Sequence, residues 1–140
     1  MPLITKALLP ISALLLFGNL TFAETVFIVH PSNNSQFTEQ DISRLYLGKT
    51  RRFPNGTSAV PLERPLGTPT REHFLRQILE KTDSQLRSYW SRLVFTGRGI
   101  PPEVIDTDAE VKELVARNPN LIGYVDDTLV DDSVKVVHKF

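Results

Sequence analysis

No cysteine occurs among the 140 residues. That absence excludes disulfides, thiol catalysis, iron–sulfur ligation and a lipid-modified cysteine. A bilayer-crossing helix is also excluded for the apolar stretch near the start of the chain. From Ala7 to Phe17 it runs for about 11 residues, where a span needs roughly 20. No twin-arginine pair precedes the apolar stretch, and the chain has no nucleophile elbow or Walker-type loop. The 3 histidines, His30, His73 and His138, are far apart and lack ligand-like spacing, so no metal site is expected. With no repeat and no low-complexity segment either, the chain reads as a non-enzyme without a cofactor. No single sign of charge dominates, because 16 Lys and Arg balance 16 Asp and Glu.

What the N-terminus does contain is the pattern of an export signal. Lys6 precedes the apolar stretch, and Thr21-Phe22-Ala23 carries small residues at the positions a signal peptidase reads. Residues 1–23 are expected to be a Sec-type signal peptide cleaved after Ala23, which leaves 24–140 as a single exported domain. That length is enough for a core that needs no staples. Within it the charge is divided: residues 44–98 hold 11 basic and 4 acidic side chains, whereas 99–140 hold 4 basic and 9 acidic. A basic middle suits nucleic acid or a small anion. Export argues against nucleic acid and leaves capture of an anion.

Strand and helix patterns alternate along the domain. Thr25 to His30 is apolar and β-branched throughout, as a strand covered on both faces should be. After a loop at 31–35, Thr38 is the expected N-cap of a helix with Asp41 at its third position. Phe37 is placed to staple onto Ile42, the buried stripe is Ile42, Leu45 and Tyr46, and Gly48 is the stop. Pro54-Asn55-Gly56 makes a turn. Ser58 to Arg64 reads as a second strand, with Pro61 marking an edge or irregular position. One helix is expected from Pro69 to about Lys81 with Phe74, Leu75, Ile78 and Leu79 inward.

Asp83 or Ser84 opens the next helix, whose stripe is Leu86, Tyr89, Trp90, Leu93 and Val94. Trp90 is read as core. After a rigid Gly99-Ile100-Pro101-Pro102 connector, Thr107-x-x-Glu110 is a capping box for a fourth helix ended by Asn118-Pro119. Ile122 to Val125 and Val134 to Val137 are the last strands. The acidic pairs Asp126-Asp127 and Asp131-Asp132 read as caps or solubilising turns. Strands separated by helices imply an α/β fold, a largely parallel sheet with helices on both faces.

Ligands on such sheets sit at the carboxyl ends of strands beside helix N-termini. The segment from Arg64 to Arg71 occupies that place. It gathers free backbone amides, the hydroxyls of Thr68 and Thr70 and the guanidinium groups of Arg64 and Arg71, a set suited to phosphate or sulfate. Other roles stay open for each residue. Arg64 can pair with Glu63 or Glu72, Arg71 can face solvent, and Thr68 and Thr70 can be plain caps. Lys49, Arg51 and Arg52 read as a solvated loop, and Thr96-Gly97-Arg98-Gly99 as a helix stop or a second backbone nest.

Arg64-x-x-Gly67-Thr68-x-Thr70, with Phe74 ten residues after the arginine, resembles the Arg-Ser-Asp-Gly-Ser-Gly-Thr-Thr loop of periplasmic phosphate-binding proteins, the receptors of phosphate ABC transporters. Tyr46-Leu47-Gly48-Lys49 with Phe53, and Ile122-Gly123-Tyr124-Val125, are similar to two further segments of that family. The resemblance implies a type II periplasmic-binding-protein fold, of which this chain has room for one lobe. It also implies a periplasmic location, a phosphate-type ligand held by Arg64, Gly67, Thr68 and Thr70, and service to a membrane transporter or sensor.

Three departures bear on selectivity. Leu66 stands where the family has an aspartate that accepts a proton from phosphate and so rejects sulfate. Pro69 replaces a glycine, and Arg71 replaces a threonine. One lobe supplies one wall of a site, so a second copy in a homodimer, or another partner, is expected to supply the other. The alternative expectation is an interaction module that keeps the lobe, has lost the ligand, and turns its basic 44–98 face to a partner.

Overall fold

The computed structural model describes residues 24–140, so the expected signal peptide at 1–23 lies outside the described residues. Strand β1 (Thr25–Val29) is buried at every position. It is flanked by β4 (Leu121–Asp126) on one side and β5 (Lys135–Lys139) on the other, both antiparallel to it. Beyond β4 come β2 (Val60–Glu63) and then β3 (Glu103–Val104), each parallel to its neighbour. The order is β3-β2-β4-β1-β5. Four strands thus point one way and β1 alone runs against them, which makes the sheet largely parallel in direction around one reversed strand.

Helices cover both faces, and the two-residue alternation of the strands divides the core accordingly. Phe27 and Val29 of β1, with Ile122 and Tyr124 of β4, meet helices α1 (Glu39–Tyr46), α2 (Pro69–Phe74) and α3 (Asp83–Phe95). Val26, Ile28, Leu121 and Val125 face α4 (Asp108–Arg117) through Val111 and Val115. A Cβ at Gly123 would lie 2.4 Å from Val111, so glycine lets α4 approach β4 closely.

Local sequence accounts for most helix boundaries. Thr38 and Asp41 form a complete reciprocal capping box, and Gly48 takes a left-handed φ of 68° just past α1. Phe37 packs edge-on against Phe53, at 5.8 Å between ring centroids. At α4 the expected box is half made: Thr107 Oγ1 accepts the Glu110 amide, but no return bond from the Glu110 side chain to the cap is formed. Thr82 and Gln85 form a full box before α3, which fixes its first residue as Asp83. Trp90 is buried, as expected, but Val94 at the end of the proposed stripe is half exposed.

One expectation is corrected and one element is added. The helix from Pro69 is not one α-helix to Lys81. It widens into a π-turn at Leu75–Leu79 and stops at Glu80, whose φ of 52° is left-handed without a glycine. Burying Leu75, Ile78 and Leu79 together holds that turn in place. The short strand β3 directly follows the Gly99–Pro102 connector and was assigned to no element from sequence. Its two residues are ordered by pairing with Leu62 and Glu63, which no local pattern announces. Pro61 lies in the half of β2 that pairs only with β4, before β3 begins, so its missing N–H disrupts no ladder.

Candidate functional site

The carboxyl end of β2 leads through a Pro65–Thr68 turn into α2. Gly67 makes the turn at a φ of 84°, a conformation costly for any residue with a Cβ. Thr68 is the N-cap by backbone, but its hydroxyl does not cap. It donates to the Pro65 carbonyl at 2.8 Å, and no side chain closes the first turn of α2. Pro69 has no N–H, so the amides of Thr70 and Arg71 are the orphan donors of this helix start. By contrast α1, α3 and α4 each have a threonine hydroxyl on the amide of the third helical residue.

A helix lacking a cap must be held by other contacts, and α2 is held by Phe74. That ring is fully buried between Tyr46 and Tyr124, at centroid distances of 4.8 and 4.6 Å. Tyr46 Oη donates to the Leu62 carbonyl at 2.8 Å and so ties α1 to β2. These aromatic contacts place the 64–71 segment on the rigid part of the sheet.

The two arginines turn to opposite sides. Arg64 is 5% exposed, and its Nη2 donates to the Asp106 carbonyl at 3.3 Å. The same nitrogen lies 3.0 Å from Asp108 Oδ1, but the contact lacks hydrogen-bond alignment. Arg64 Nε, Arg64 Nη1 and Asp108 Oδ1 are all buried without a hydrogen-bond partner. The other oxygen, Asp108 Oδ2, accepts the Asp126 amide and is held there. Arg71 instead forms an ion pair with Asp83 at the start of α3, with Glu63 Oε1 at 3.8 Å from its Nε. Arg64 therefore pairs with neither Glu63 nor Glu72 by its side chain, and Arg71 is largely covered rather than turned to solvent. Only the Arg64 amide meets Glu63, donating to Oε1 at 2.8 Å.

Glu63, considered from sequence only as a surface partner for Arg64, has a different place. It is buried at the end of β2, where Oε1 receives the Tyr124 hydroxyl as well as the Arg64 amide. Burial pushes its pKa above the usual carboxylate value, opposed by the Tyr124 and Arg64 hydrogen bonds and by the Arg71 charge. Burial and the neighbouring Glu63 likewise push the Tyr124 phenol far up, so it remains a donor at any physiological pH. A cleft of about 200 Å³ opens beside this group, with Glu63, Arg71 and Asp83 at its polar side and Leu66 and Trp90 among its apolar walls. Arg64 does not line it.

The segment 96–99 ends α3. Gly97 is left-handed at 69° and the Arg98 amide returns to the Leu93 carbonyl at 2.8 Å, the geometry of a helix stop. The acidic pairs act in turns, since Asp126 Oδ1 accepts the Thr128 amide and Asp131 binds Ser133 and Lys112 Nζ.

The α/β lobe, with one reversed strand and helices on both faces, has the periplasmic-binding-protein class of fold by its likeness to solved structures. Comparison with solved structures gives the particular relatives: the chain is similar to phosphate ABC transporter substrate-binding proteins over a single lobe. One is such a protein from Clostridium perfringens, solved with bound phosphate, at 26% identity and a TM-score of 0.66, covering 82% of this chain and 44% of that one. A phosphate transport receptor from Vibrio cholerae aligns at 17% identity and a TM-score of 0.64, covering 82% and 45%. PstS from Borrelia burgdorferi aligns at 15% identity and 0.62, covering 82% and 46%. The chain thus spans less than half the length of each. No family model matches the sequence, and no curated protein does either.

Proposed function

We propose that this protein is an exported, single-lobe oxyanion binder of the phosphate-receptor type, acting in the periplasm as an accessory or sensing component beside a membrane transporter or sensor. The observation that carries this reading is the guanidinium of Arg64, the residue that leads from β2 into the turn before α2, buried at the start of α4 with two nitrogens lacking partners. Buried donors without partners are rare in folded proteins, and a small anion or ordered water is what ordinarily satisfies them. In this reading Arg64 brings the guanidinium and Gly67, Thr68 and Thr70 the turn, the hydroxyls and an amide, while Arg71, its side chain paired with Asp83, contributes its backbone amide. With Leu66 in the loop, discrimination of phosphate from sulfate rests on other groups, of which Glu63, a buried carboxyl whose pKa burial raises, is one. One lobe leaves the anion open on one side, and a second copy or a membrane partner closes it.

Isothermal titration with phosphate and with sulfate tests the reading. Heat in the native protein that disappears in Arg64→Ala, with the circular dichroism spectrum retained, supports it. Absence of heat with either anion removes it. A second reading, an interaction module without a ligand, is favoured by one observation: Asp108, Asp83 and Glu63 already offset the charge of both arginines. Under that reading neither anion gives heat, in the native protein or in the variant.

A further inference from the structure

Exposed large apolar side chains are concentrated at one place. Val60, Leu66, Val94, Phe95, Ile100 and Val104 are all well exposed, Phe95 at 92% and Ile100 at 85%. Each lines one of three clefts, and all three clefts share Trp90 and Pro101. One of them, about 350 Å³, runs from Leu45 and Val60 to Ile100 and Pro102. Among the described residues, Leu129 is the one further exposed large apolar side chain, and it lies on none of these three clefts. An apolar surface gathered in this way is the mark of a protein contact, since single scattered apolar residues need no explanation and a contiguous set does.

The charges on the face identify the partner. The lining cations are Arg51, Arg71 and Arg87, and the lining carboxylates are Glu63, Asp83 and Glu103. An anionic membrane or a strongly acidic polypeptide selects a face of net positive charge. A balanced face with both signs at the rim of an apolar centre is compatible with itself across a two-fold axis. β3 ends the sheet on this face, and its outer edge has no strand beside it among the described residues.

We propose that a second copy of this chain packs, about a two-fold axis, on the face centred on Trp90 and Pro101. The inference deepens the oxyanion reading and rests on it for its functional meaning: Leu66 and Arg71 lie on this face, so the partner copy covers the open side of the 64–71 turn.

Sedimentation velocity over a concentration series tests the surface. The purified protein is expected to form a dimer, and Phe95→Asp and Ile100→Asp, both at exposed positions, are each expected to weaken it at least tenfold. Leu129→Asp, away from the face, is expected to leave it unchanged. A protein that stays monomeric at about 100 µM, the weak end of specific association, overturns the proposal, whatever else then meets the face. So does a dimer that survives both substitutions. Phosphate calorimetry on the same samples reads the anion site separately, so a dimer without phosphate heat removes only the oxyanion reading, and a monomer with phosphate heat removes only the dimer.

Discussion

Helices α1 and α2 begin in nearly the same way and are held by opposite means. Both follow a loop, both have threonine at the cap, and both have a buried aromatic residue at their last position. In α1 the cap closes on itself through Thr38 and Asp41, so the sequence within four residues settles the start. In α2 the threonine turns back to Pro65, the first amides stay open, and the helix depends on Phe74, Tyr46 and Tyr124 below it and on buried charge beside it. A start closed by its own side chains serves stability. A start left open and held rigidly from beneath is available to a ligand.

The largest expected effect tests the support from beneath. Phe74→Ala should lower stability by about 3–5 kcal/mol in urea unfolding, because it leaves a cavity between two tyrosines. A loss under 1 kcal/mol would show that α2 has another anchor. Arg64→Ala should cost about 3 kcal/mol, since it strands Asp108 in a largely buried setting. The double change Arg64→Ala with Asp108→Ala should recover part of that loss, and an additive result would mean that the pair is not coupled.

A pH-dependent effect of intermediate size comes from Glu63. Its pKa is raised in the folded state above the unfolded value of 4.5. The stabilisation this gives is complete below that value and is lost as pH rises through the folded one. Glu63→Gln keeps an acceptor for Tyr124 and cannot ionise, so its stability relative to the native protein should increase as pH rises from 4.5. Parallel stability profiles for the two proteins would remove the assignment.

The smallest effects bear on the comparison most directly. Thr38→Ala should cost about 1 kcal/mol, as loss of a working cap does. Thr68→Ala, which removes no cap bond and only the hydroxyl's bond to Pro65, should cost about 0.5 kcal/mol while weakening phosphate binding severalfold by calorimetry. Equal losses at the two positions would mean that Thr68 caps α2 in solution.

Legibility in the sequence followed the range of the interactions. The Thr38 and Thr107 starts, the Gly48 stop and the β-branched run of β1 could be located because their causes lie within a few residues. The turn at 64–71 was legible for the same reason, as a Gly/Thr/Pro segment entering a helix. The partners of its arginines were not. Asp108 lies 44 positions beyond Arg64 and Asp83 lies 12 beyond Arg71, and both reach the turn only because α4 and α3 start at that end of the sheet. The π-turn at 75–79, the left-handed Glu80 and the two-residue β3 escaped for the same reason, each being imposed by packing or pairing with distant residues.

By itself the sequence determined the alternation of strand and helix, the position of the caps and the place of the candidate anion turn, since local hydrogen bonds and apolar periodicity decide these. Only the tertiary structure decided that β1 runs against its neighbours, that Glu63 is buried against Tyr124, and that Arg64 and Arg71 face different carboxylates. Strand direction and the burial of charge depend on which distant surfaces exclude water together, and no short stretch of residues encodes that.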